Sequence, residues 1–163
     1  MQHFANPLHR TSESVYELPR VVSARIDAQA ALRYLHTNAD QLNIDSDRIG
    51  ILGFSAGAIA ATAVALDNAE DARPAFVGSI YGSLRSVDVP ADAQPLFMAI
   101  ASNDPMMTHH GFGLIEDWHN SGGSTELHWY SAGGHGFASK RQDTTSDLWF
   151  KQFIFWLESQ HFF

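Results

Sequence analysis

The chain has 163 residues, 45% of them hydrophobic and 12% aromatic, with a formal charge of −8 and no cysteine. That length suits one domain with its own core rather than two. The missing cysteines exclude a disulfide framework and a thiolate zinc site, and the acidic balance argues against a nucleic-acid or anionic-membrane surface, both of which need clustered Lys and Arg.

From the start, residues 1–19 read as an irregular N-terminal arm with Pro7 and Pro19 as breakers, and Ser14-Val15-Tyr16-Glu17-Leu18 as a short strand within it. The opening Met1-Gln2-His3-Phe4-Ala5-Asn6-Pro7 lacks the basic region and apolar run of a signal peptide, and no run of about 18 apolar residues predicts a membrane helix. The expected location is therefore the cytoplasm. After Pro19, placed where a missing N–H is harmless, Val21, Ala24, Ala28, Ala31, Leu35, Ala39 and Leu42 form one apolar stripe at steps of three and four and predict a helix. A polar loop, residues 43–47, leads to a short apolar run at 48–54, read as a fully buried strand of a parallel sheet. An Ala-rich helix is expected over 56–69. Strands follow at 75–81 and 95–101, then a helix over 107–120 carrying Leu114, Ile115 and Trp118, and a strand at 125–130. The last helix is expected to start at Ser146 as N-cap, with Asp147 favourable in its first turn. The succession α, β, α, β, β, α, β, α predicts an α/β fold, a mostly parallel sheet of about four strands with helices on both faces.

Gly53-Phe54-Ser55-Ala56-Gly57 matches G-x-S-x-G between a buried strand and a small-residue helix. A sharp turn at that junction exposes a serine oxygen above the sheet, and the flanking glycines leave room for it. The N–H of Ala56, at the helix start, is the expected oxyanion donor, with Phe54, Gly53 and Gly57 completing the oxyanion and substrate-binding set. A chance Gly-Ser-Gly turn is the bland alternative. A serine hydroxyl needs a base within reach, and the base needs an orienting partner. In a strand–elbow–helix fold they follow in the order Ser, Asp, His. Asp104, in Ser102-Asn103-Asp104-Pro105, sits at the carboxyl end of a predicted strand, where ligands gather. Its competing role is helix N-cap, and Asn103 and Asp88 are weaker candidates for the acid. His135, in Gly133-Gly134-His135-Gly136-Phe137, is singled out from nine histidines by its order and its glycine flanks. His109 and His110, as helix neighbours, point about 100° apart and are poorly placed to share an ion, so no metal is expected.

These motifs resemble those of α/β-hydrolase esterases. The resemblance rests on Arg25 to Leu35, Ile44-Asp45-Ser46-Asp47-Arg48-Ile49, Gly53 to Gly57, Ala101 to Pro105, Glu126 to Tyr130, Gly133 to Phe137 and the closing Trp149 to Leu157. It runs from residue 20 to the end. Within that group the chain resembles small carbohydrate-ester and acetylxylan-esterase-like enzymes, related to the dienelactone hydrolase and hormone-sensitive-lipase-like groups. The resemblance implies a single, shortened α/β-hydrolase domain over 1–163. The strands that such enzymes carry before the first helix are missing, as is the His-Gly-Gly-Gly type loop that supplies the second oxyanion donor. It further implies a serine carboxylic ester hydrolase for short-chain acyl esters, acetylated sugars being one candidate class, working through an acyl-enzyme without a cofactor. The rival reading is a weakly active or non-catalytic remnant serving as an interaction module; a peptidase is a third. The only sizeable lid candidate is residues 83–95. Finally, the missing neighbour strand would leave 48–54 as an open apolar edge. That edge predicts cover by residues 1–19 or by a second copy, hence a homo-oligomer, a dimer first.

Overall fold

The computed structural model describes residues 14–163. Four parallel strands, β1 (Ile51–Phe54), β2 (Val77–Ile80), β3 (Leu96–Ala101) and β4 (Thr125–Tyr130), lie side by side in the order β1-β2-β3-β4. The helices α1 (Pro19–Thr37) and α2 (Ala39–Leu42) precede β1, α3 (Ala56–Asp67) joins β1 to β2, α4 (Gly113–Asn120) joins β3 to β4, and α5 (Trp149–Ser159) follows β4. Every residue of β2 and β3 is buried, as expected of central strands covered on both faces. One face packs Ala61, Ala65, Val77, Leu96, Met98 and Trp118, from α3, α4 and the strands. The other packs Ile80, Phe97, Phe153, Trp156 and Leu157, and so seats α5. Because all four strands run the same way, all four carboxyl ends, and the loops after them, meet on one rim.

The helix after Pro19 forms, with Pro19 in its first turn, but it docks on α3 rather than on the sheet. Its buried residues are Val21, Gln29 and Leu32, while Ala31 and Leu42, expected on the buried stripe, face outward. The helix ends at Thr37 and restarts at Ala39, so Leu42 is out of phase with the first stripe. Against α3 the seam is partly polar: Arg25 pairs with Asp67 and Gln29 Nε2 donates to the same carboxylate at 2.7 Å, while Arg33 Nε meets Asp71, in the 3-10 turn Glu70–Ala72 just beyond α3, at 2.7 Å.

Four expectations are corrected. Ser14 to Leu18 is not a strand: Val15–Glu17 is a 3-10 turn, opened by Ser14 Oγ accepting from the Tyr16 N–H, and Tyr16 is buried beside Val21 and Ala63. The segment therefore packs on helices; residues 1–13 of the predicted arm lie outside the described residues. β1 is shorter than 48–54 and is not fully buried. Among the described residues it pairs on one side only, and Phe54 is 38% exposed. The helix expected over 107–120 is divided, because Gly111 turns at φ +68 between a 3-10 turn at Thr108–His110 and α4. Ser146 does not cap the last helix: it lies buried in a 3-10 turn, Thr145–Leu148, its Oγ 2.7 Å from Thr144 Oγ1, and α5 begins at Trp149. Asp147 correspondingly serves a loop, its carboxylate accepting from the N–H groups of Gln142 and Asp143. No helix among the described residues is long and apolar enough to cross a membrane.

Candidate active site

Between β1 and α3 the chain reverses at Ser55, held at φ 53 and ψ −118. A non-glycine residue adopts such a backbone only when its surroundings impose it. Here the Ser55 N–H donates to Ile80 C=O at 3.0 Å, while its carbonyl accepts from Ala58 and Ile59, so strand and helix grip the same residue. Gly53 makes the tight turn possible: a Cβ there would stand 2.1 Å from the Gly57 carbonyl oxygen. Gly57 itself is exposed, with no described atom close enough to meet a Cβ; the sequence expectation that both flanking glycines are sterically required therefore holds for Gly53 alone. Ala56 is exposed at the first position of α3, where the first N–H groups have no partner within the helix.

The Ser55 hydroxyl lies 2.7 Å from His135 Nε2, and His135 Nδ1 lies 2.8 Å from Asp104 Oδ2. A carboxylate can only accept, so Nδ1 carries the imidazole proton and Nε2 is left to accept from the serine O–H. Asp104 is 0% exposed, and its Oδ1 accepts from the Met106 N–H at 2.9 Å. It thus closes a local turn while reaching His135, and it does not take the competing N-cap role: Met107 precedes the 3-10 turn at Thr108–His110 and Phe112 precedes α4. The Tyr81 ring lies edge-on to the imidazole, centroids 5.1 Å apart. That residue sits just past β2 at φ 43, and burial raises its phenol above the ordinary value. Rings continue outward from there: Tyr81 to Phe54 at 6.0 Å, and Phe54 to Trp149 at 5.5 Å. An aromatic row thus runs out from the imidazole, with Phe54, the residue before the serine, as its exposed member.

The structure therefore brings Ser55, Asp104 and His135 together with Phe54, Gly53, Ala56 and Gly57 around the turn. It separates the weaker candidates. Asp88 is exposed on the β2–β3 loop, and Asn103 contacts the histidine loop through its backbone, as Asn103 Oδ1 accepts from the Gly134 N–H at 2.8 Å. His110 turns toward Ser83, its Nδ1 3.5 Å from the hydroxyl, and burial holds it below the usual histidine range. The 83–95 stretch is tied down: Leu84 is buried, its carbonyl accepts from Leu114, and the Asp117 carboxylate accepts from Ser86 Oγ and the Val87 N–H. Tyr81 and Trp149 escaped the sequence reading. Tyr81 stands at a strand end, a signal that was available; nothing in the pattern around Trp149 marks its contact with Phe54, made while it also packs on the core.

A protein-family model, BD-FAE, matches residues 4–110. No curated protein matches the chain. Among solved structures, it is similar to MGS-M1, an α/β-hydrolase enzyme from a Medee basin deep-sea metagenome library, at 26% identity and a TM-score of 0.73, covering 83% of this chain and 63% of that one. The acetyl ester-xyloside bifunctional hydrolase of Caldicellulosiruptor lactoaceticus is similar at 21% identity and TM-score 0.73, covering 85% and 66%. Thermogutta terrifontis esterase 2 is similar at 16% identity and TM-score 0.77, covering 87% and 66%. The chain thus spans 63–66% of the length of these structures.

Proposed function

We propose that this chain, which belongs to the BD-FAE family of α/β-hydrolases, is a serine carboxylic ester hydrolase acting on short-chain acyl esters, with acetylated carbohydrates as one substrate class. The observation that carries the reading is the hydrogen-bonded line from Ser55 Oγ through His135 to a fully buried Asp104, with the serine held at positive φ above the sheet. In the proposed reaction Ser55 Oγ attacks the ester carbonyl carbon as its proton passes to His135 Nε2. The Ala56 N–H faces the developing oxyanion, and Asp104 stabilises the imidazolium. Collapse breaks the ester C–O bond, and His135 returns the proton to the leaving alcohol. Water, deprotonated by the same imidazole, then attacks the acyl carbon; the bond from that carbon to Ser55 Oγ breaks, His135 returns the proton to Oγ, and the acid leaves.

A site with one identified oxyanion donor favours esters over amides, since losing a donor costs about 2.7–4 kcal/mol in the barrier and amides demand more stabilisation. The exposed ring of Phe54, backed edge-on by the half-buried Trp149, supports stacking of a sugar leaving group beside the serine. The 83–95 stretch is tied to α4 through Asp117, and the short-chain reading takes it as a fixed loop rather than a lid that closes over a long acyl chain. Hydrolysis of nitrophenyl esters tests the reading: acetate and butyrate are expected to turn over faster than a twelve-carbon ester, and the reverse order would overturn the short-chain assignment. The rival is a non-catalytic interaction module; no turnover of any ester by the folded protein would support it.

We also propose that a second copy covers β1, forming a homodimer. β1 has an unpaired edge among the described residues and an exposed Phe54, and such edges invite pairing. The described part of the arm, Ser14 to Leu18, packs on α1 and α3 instead. Sedimentation at micromolar concentration is expected to give twice the chain mass, and a strictly monomeric boundary would overturn the dimer.

A further inference from the structure

The loop that carries His135 is built from residues that have no stiffness of their own. Gly133 lies at φ +150 and Gly134 at φ +66, and glycine crosses between such regions at little cost. Yet the imidazole needs a fixed direction to meet Ser55 on one side and Asp104 on the other. The fixing groups are on the page. The Gly134 N–H donates to Asn103 Oδ1 at 2.8 Å, and Gln142 Nε2 donates to the Gly133 carbonyl at 2.9 Å. That carbonyl and that N–H belong to one peptide unit, which is planar and turns as a rigid body. Holding both of its polar ends stops it from flipping.

Both side chains are themselves anchored. Gln142 sits on a loop whose N–H groups, its own and that of Asp143, are bound by the Asp147 carboxylate at 2.8–3.1 Å. Asn103 is the middle one of three consecutive residues, each tying down one residue of the histidine loop. Ser102 Oγ donates to the Ser131 carbonyl at 2.8 Å, Asn103 takes Gly134, and Asp104 takes His135. Beneath the peptide, a Cβ on Gly133 would stand 2.6 Å from Ser146 Oγ, so the loop lies directly against the buried Ser146.

We infer that Asn103 and Gln142 are positioning residues for His135, two side-chain amides that clamp the Gly133–Gly134 peptide and thereby aim the imidazole. The inference rests on the ester-hydrolase reading for its kinetic consequence but not for its geometry. A one-ångström misplacement of a catalytic group costs about a hundredfold. Because both ends of one rigid unit must be held, the two residues act as a unit, and their losses do not multiply.

The test uses Asn103→Ala, Gln142→Ala, the double variant, and two near-isosteres. Each alanine variant is expected to lower kcat on nitrophenyl acetate about 10- to 100-fold with KM unchanged. The double variant is expected to match the worse single one. Gln142→Glu, the same size but without the donor, is expected to lose as much as Gln142→Ala. Asn103→Asp, which keeps the accepting oxygen, is expected to recover most of what Asn103→Ala loses. NMR of the imidazole gives a readout independent of turnover: the His135 Nδ1 proton shared with Asp104, sharp in the wild type, is expected to broaden or vanish in the alanine variants while the melting temperature stays close to wild type. Wild-type kcat and an unaltered Nδ1 signal in the double variant would overturn the clamp, as would rescue by Gln142→Glu. If the wild-type protein turned over no ester, the hydrolase reading would fall, while the Nδ1 signal would still decide the clamp.

Discussion

Replacing Ser55 by Ala, or His135 by Ala, is expected to abolish covalent labelling by a fluorophosphonate, with ester turnover falling by about 10⁶-fold for either change. On the proposed reading the serine oxygen is the atom the probe captures. At 2.7 Å from His135 Nε2 it has a base positioned to take its proton, and a serine hydroxyl without such a base is a poor nucleophile at neutral pH. The two substitutions remove different halves of one device, so each alone is expected to cost nearly as much as both together. Neither residue supports the core. Ser55 and His135 are only part-buried on the rim of the sheet, and both variants should fold with an unchanged far-UV spectrum. The deciding outcome is a Ser55→Ala protein that still takes up the probe at the wild-type rate, which would place the nucleophile elsewhere.

Asp104→Asn is expected to lower kcat by about 10⁴-fold, the cost usually seen when the acid of such a relay becomes an amide, while leaving the fold intact. The retained Oδ1 can still accept from the Met106 N–H, so the turn survives. The second carboxylate oxygen, which accepts from His135 Nδ1 at 2.8 Å, becomes an NH₂ donor. The imidazole must then place its proton on Nε2, where it faces the Ser55 hydroxyl as a donor instead of an acceptor. Stopped-assay rates on nitrophenyl acetate beside a thermal melt check both halves. A loss of less than tenfold in a folded variant would mean that Asp104 does not orient the base.

Much of this arrangement was legible in the chain. Strand β4 falls on the predicted residues, and β2 and β3 fall within one or two residues of theirs, because short apolar runs bounded by turn residues are hard to fold otherwise. The Gly53 to Gly57 pattern identified the elbow because the turn requires a residue without a Cβ at Gly53. Helix boundaries were less legible. Thr144 and Ser146 are equally good caps by chemistry, and only the packing of Ser146 beneath Gly133 turns its hydroxyl inward. The α1 stripe was misread at Ala31 and Leu42 because a helix docking on another helix selects a face that includes Arg25 and Gln29, which no apolar period reveals.

By itself the sequence determined the alternation of strands and helices and the parallel sheet, and it singled out Ser55, Asp104 and His135, the three residues that lie within hydrogen-bond reach of one another. These follow from local chemistry: period, turn residues and the demands of a nucleophile. What only the tertiary structure decided is how far apart those residues are and what holds them there. Eighty residues separate Ser55 from His135 along the chain, and the 2.7 Å between their side chains exists because parallel pairing sets every strand's carboxyl end on one rim. The amide clamp of Asn103 and Gln142, the Tyr81 ring against the imidazole and the one-sided edge of β1 are likewise contacts between segments distant in sequence. Asn and Gln carry no periodic or turn signal that names a partner, so their roles became visible only once the loops were folded against each other.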